Sequence, residues 1–105
     1  MELEQWTNAE KKIARRAFEA AYDRECVALA DEVRRRADRI ANTQDIWKLE
    51  SFLTRKRKHI DEKYDFRYSV LVVVFIRLMK EGWLKESDLV GLSDDKLVKI
   101  RVFAE

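Results

Sequence analysis

The chain has 105 residues, 40% charged and 47% apolar, with net charge +2, no proline and two glycines, Gly82 and Gly91. This length suits one domain, and the composition excludes both a disordered chain and a membrane-embedded one. A β-rich fold would need many tight turns built on Gly, Pro and Asn, so the expected class is all-α.

Thr7 opens the first helix as a capping box with Glu10, each side chain serving the other's backbone amide. Apolar residues then recur at Phe18, Tyr22, Cys26, Leu29, Val33, Ala37 and Ile40, in steps of three and four that draw one helical stripe. No breaker intervenes before Asn42-Thr43. A helix of that length reaches about 50 Å, more than the diameter of a small domain. Helices beyond about 25 residues belong to coiled coils and bundles. One copy cannot cover such a stripe, so an elongated helical homodimer is expected.

Asn42 or Thr43 caps a second helix, with Asp45 well placed against its dipole. Its stripe reads Ile46, Leu49, Leu53, Ile60 and Tyr64, interrupted at Lys56-Arg57. At about 100° per residue, Trp47, Glu50, Thr54 and Arg57 share a flanking face. Trp47 then either packs on another helix of its own dimer or anchors a partner, since Trp and Arg are enriched among interface hot spots. The β-branched run from Val70 to Val74 has no second strand to pair with. It therefore joins a helix buried nearly all round and closed by Gly82. A short turn follows near Ser87 to Val90, and Ser93 caps a last helix that turns Leu97, Ile100 and Phe103 inward. The division expected is a long-helix body through residue 65 and a small C-terminal helical head, 66–105.

Catalytic chemistry finds no support. His59 stands near Asp61, Glu62 and Asp65 without a second histidine or a cysteine to complete a metal set. No glycine-rich loop could cradle phosphate. The acidic pair Asp94-Asp95 compensates a helix N-terminus. Asp31 with Arg35 and Glu32 with Arg36 read as surface ion pairs. The single cysteine, Cys26, is expected to be a buried structural thiol in a reducing compartment. The opening MELEQW lacks the features of a secretory signal, and the apolar run from Tyr68 to Ile76 falls well short of the ~20 residues that span a bilayer. A cytoplasmic protein without metal or cofactor is expected.

Charge is regional. Between residues 34 and 58, nine Lys and Arg face only Asp38, Asp45 and Glu50, a local excess of six. Such a cluster could neutralise phosphates or steer an acidic protein partner. Against nucleic acid, no helix-turn-helix or other groove-reading pattern is present.

Taken together, three motifs resemble the fluorescence recovery protein family of cyanobacteria: WxxAE at Trp6 to Glu10, FxxAYxRE at Phe18 to Glu25, and IWKLESFLTRKRKHIDEKYDFRYSV from Ile46. Gly82 and Asp95-Lys96 also fall in place. The resemblance implies an all-helical homodimer that binds the orange carotenoid protein, chiefly its C-terminal domain. It implies faster return of that partner from its red to its orange form, ending phycobilisome quenching, with no cofactor. It further implies that Trp47, Arg57 and Lys99 serve activity and that Ile46 lies at a dimer interface, with Leu49 and Leu53 beside it. Glu50, Ser51 and Thr54 complete the expected partner-binding set. Glu50 and Ser51 stand where the family carries a His-Asp pair, and Val73 replaces an aromatic residue in the head. A helical adaptor for another protein and a nucleic-acid binder remain the alternative classes.

Overall fold

The computed structural model describes residues 5–105 as four α-helices and one 3₁₀ turn, with no strand among the described residues. The helices are α1 (Asn8–Asp38), α2 (Thr43–Lys63), α3 (Leu71–Lys80) and α4 (Asp94–Phe103), and the 3₁₀ turn is Glu86–Leu89. The chain measures 53 × 26 × 25 Å, and α1 sets its length.

Local chemistry places the ends of these elements. At Thr7 the capping box forms as expected, both amide-to-side-chain bonds being 3.1 Å. Asn42, rather than Thr43, caps α2, its Oδ1 accepting from the Asp45 amide at 3.1 Å. Ser93 caps α4. At the end of α3, Gly82 takes φ +84°, while the Trp83 amide reaches the Leu78 carbonyl and the Gly82 amide the Met79 carbonyl. These two bonds are a Schellman closure, which needs the left-handed conformation that glycine adopts cheaply.

Packing departs from the expected stripe on α1. The residues it buries are Glu10, Ala14, Ala17, Ala21 and Glu25, in steps of four, three, four and four. Small side chains there let the 3₁₀ turn Glu86–Leu89 approach closely, and Ala14, Ala17 and Ala21 join Leu71, Phe75, Leu78, Leu89 and Ile100 in the core. The expected row beginning at Phe18 lies on the border of this stripe. Phe18 and Cys26 are half-buried, and Tyr22 and Ile40 are exposed. Cys26 is thus not the buried thiol expected of it.

On α2 the residues turned toward α1 are Phe52 and Ile60, with Arg36 stacked 3.7 Å above the Phe52 ring. Leu49 is half-buried, whereas Ile46 and Leu53 stay 45% and 37% exposed. In α3, Leu71, Val72, Val74, Phe75 and Leu78 are buried but Val73 is 67% exposed, so the helix is covered on most sides and not all round. Ile100 of α4 is buried and Leu97 partly so, but Phe103 is 63% exposed. It falls on the last residue of α4, where none of the described elements covers it.

Candidate protein-binding face

Five of the six expected partner-binding residues lie together on α2. Trp47, Glu50, Ser51, Thr54 and Arg57 are all exposed, Trp47 by 54%. Steps of three and four along one capped helix put Trp47, Glu50, Thr54 and Arg57 on one side. The opposite side of α2, through Phe52 and Ile60, fixes the helix against α1. Arg57 is only loosely held, its Nε 3.8 Å from Asp61 Oδ2 with both side chains well solvated. A wide indole and an extended guanidinium on a rigid support suit protein recognition. They offer no nucleophile or general base.

Lys99 sits elsewhere, exposed on α4. Its neighbour Lys96 reaches Glu10 near the start of α1, while α2 meets Arg36 near the end of α1. Those α1 positions are separated by roughly 39 Å of helix. Lys99 therefore belongs to a different end of the chain from Trp47.

The basic runs are partly matched from within. Glu32 binds Arg35 at 2.6 Å and Arg36 at 2.9 Å, and Asp31 pairs with Arg34 at 3.1 Å rather than with Arg35. Arg35 first, then Arg36, holds the Glu32 carboxyl below its usual range. The His59 ring nitrogen lies 3.0 Å from Arg77 Nη2, and no group of three metal-ligating side chains occurs among the described residues.

Buried ion pairs join the parts, and sequence periodicity did not reveal them. Lys63, 3% exposed, lies 2.7 Å from the Glu25 carboxylate and 2.6 Å from Glu81. Glu25 also accepts from the Tyr64 hydroxyl at 2.8 Å. Burial, then this bond to Glu25, pushes the Tyr64 phenol pKa up. Glu10 receives the Thr7 and Ser93 amides and Lys96, whose Nζ also donates to the Gln5 carbonyl. Burial works against the Glu10 carboxylate, yet these donors outweigh it and lower its pKa to about 2. Arg24 grips Asp88 through two bonds of 2.7 and 3.1 Å and the Trp83 carbonyl at 2.9 Å. The available signal was a glutamate at each end of the alanine row.

Residues 6–104 match the family model described as photoprotection regulator fluorescence recovery protein. The chain belongs to that family. The fluorescence recovery protein of Synechocystis sp. is 42% identical over 99 residues, 94% of this chain and 91% of that protein. The solved fluorescence recovery protein of Fremyella diplosiphon is 48% identical with a TM-score of 0.89, covering 95% of this chain and 98% of that one. The solved Synechocystis protein gives 42% identity, the same TM-score and the same coverage. All four helices, the α2 face and Lys99 lie within the family match. Fluorescence recovery proteins are photoprotection regulators, and the all-helical fold is shared with them.

Proposed function

We propose that the chain acts as a cytoplasmic homodimer that binds the C-terminal domain of the orange carotenoid protein. It speeds that protein's red-to-orange reversion and so ends phycobilisome quenching, without an enzymatic step or a cofactor. The observation that carries this reading is the exposed Trp47–Arg57 face on a firmly capped helix, in a chain of the fluorescence recovery protein family. Ile46, Leu49 and Leu53 border it as the dimer contact, and Lys99 provides a second contact from the head. Among the described residues no helix is long and apolar enough to cross a membrane.

The mechanism is conformational. A binding protein accelerates relaxation only when it holds the barrier state more tightly than the activated state, and it shifts the end point only by preferring the compact form. A large apolar anchor and a cationic group on a stiff helix can deliver that preference through one docking geometry. The test is dark recovery of absorbance by photoactivated orange carotenoid protein, with and without this chain. Acceleration that is lost in Trp47→Ala and Arg57→Ala supports the reading. No acceleration at large excess rejects it.

Glu50 and Ser51 favour a second reading, an adaptor of the same architecture with a different protein client. Ser51 cannot supply the charged acceptor that an aspartate would, a contact worth about 1.5–3 kcal/mol. If the orange carotenoid protein is the client, Ser51→Asp should quicken recovery. If another protein is, the change should leave recovery absent.

A further inference from the structure

The α2 face runs on past Arg57 to Asp61, and there it meets a groove between α1 and the end of α2 with a volume of about 260 Å³. Phe18, Tyr22 and Tyr64 line it, and Glu19, Asp23 and Asp61 line it too, with Ile60 between the helices. We propose that this groove receives an arginine or lysine side chain of the client protein, as a cationic specificity pocket at the end of the recognition face. The proposal rests on the reading of that face as the client-binding surface.

Three observations support it. First, the rings are already arranged. Tyr64 packs edge-on against Phe18 at 5.4 Å and Tyr22 at 5.1 Å, and Tyr64 is fixed by its bond to Glu25. Aromatic faces attract cations most strongly where water is partly excluded. Second, two of the carboxylates are unmatched and the third is weakly matched. Asp61 has only the 3.8 Å approach of Arg57, while Glu19 and Asp23 make no ion pair among the described residues. Elsewhere, Glu32, Asp65, Glu81 and Asp88 each hold a cation at 3.0 Å or closer. Two unpaired carboxylates, Glu19 and Asp23, and a third, Asp61, held only loosely by Arg57, thus line one aromatic groove. The Tyr22 phenol pKa is pushed up first by its contact with Cys26 and by burial, with smaller contributions from Asp61 and Asp23. Third, Asp61 lies one helical turn beyond Arg57 on the same side of α2, so a client seated on Trp47 and Arg57 extends into the groove without leaving the surface.

The experiment measures binding of photoactivated orange carotenoid protein to wild type, Asp61→Asn, Tyr22→Leu and Asp23→Asn. Each chain's mass is checked by light scattering, and N-acetyl-arginine amide is titrated into each by NMR. The expected result is wild-type mass throughout, with affinity reduced roughly five- to tenfold in each variant and a smaller difference at high salt. Variants that bind as wild type overturn the proposal. A changed mass does so as well, since it shows that a second copy of the chain fills the groove. If the wild type fails to bind the orange carotenoid protein, the functional reading falls and the amide titration decides the groove. Saturable shifts of the Tyr22 and Tyr64 ring signals, lost in Asp61→Asn, uphold the pocket; unshifted rings remove it.

Discussion

Lys63 is held by carboxylates from two directions while almost wholly out of water. Removing a charge from such an arrangement is costlier than never having built it, because its partners stay buried and unpaired. Lys63→Met should therefore lower stability in urea denaturation by about 3–5 kcal/mol. Adding Glu25→Gln should recover part of the loss, since it withdraws the stranded charge. An additive double mutant would show that the two side chains do not act as a pair. Glu10 gives a second prediction, through pH. Its folded pKa of about 2 lies below the ordinary 4.5, so its contribution is complete above pH 4.5 and disappears as pH falls toward 2. The difference in thermal midpoint between wild type and Glu10→Gln should be wide at pH 7 and close across that acid window. A difference constant with pH would mean that Glu10 contributes packing and not charge.

The helix ends show how much a local pattern can carry. Thr7, Ser93 and Gly82 cap as their sequence context dictates, because a cap involves residues three to six apart and little else. Which face is buried was less legible. The alanine row of α1 yields weak periodicity, and the larger side chains from Phe18 to Ile40 outweighed it although they lie on the border. Phe52 was missed on α2 for a related reason: Leu49 and Leu53 on either side satisfied the same spacing. The Trp47–Arg57 face was readable from helical steps alone, whereas the groove joins residues 18–23 to residues 60–64 and needs the tertiary fold. The two glycines separate conformation from contact. A Cβ at Gly82 meets nothing within 4 Å, so Gly82→Ala should cost about 1–2 kcal/mol, the penalty for a left-handed alanine. Gly91, at φ +105°, would set its Cβ 2.5 Å from Ile13 Cδ1 and should cost more. Adding Ile13→Val deletes that carbon and should return part of the excess, as read by thermal denaturation. Equal losses at both glycines would show that Ile13 gives way freely.

At the scale of the whole molecule, the core lies at one end, while apolar side chains stay exposed on both the α1–α2 hairpin and the C-terminal part, where Val73, Val90, Val98, Val102 and Phe103 are open. Leu71, Phe75, Leu78, Leu89 and Ile100 pack against the first half of α1, at one end of the 53 Å length. The hairpin of α1 and α2 leaves Val27, Ile40, Ile46, Trp47 and Leu53 exposed by 37% to 63%. Exposed apolar side chains around Ile46 and Leu53 on α2 are what an interaction site leaves open in a single chain. Pairing of two hairpins through Ile46, Leu49 and Leu53 would cover them, and the stripe then contributes at about 25 cal/mol per Å² of apolar area removed from water. A carboxylate at position 46 would lose its hydration in that contact without gaining a partner. Ile46→Glu should accordingly halve the mass measured by light scattering while leaving the helical circular dichroism intact, because residue 46 packs little within its own chain. The wild-type thermal midpoint should also rise with protein concentration, and that of Ile46→Glu should not, since only a folded assembly is stabilised by mass action. A variant with unchanged mass would move the contact away from the start of α2 and leave Trp47 free to meet the client from a single chain.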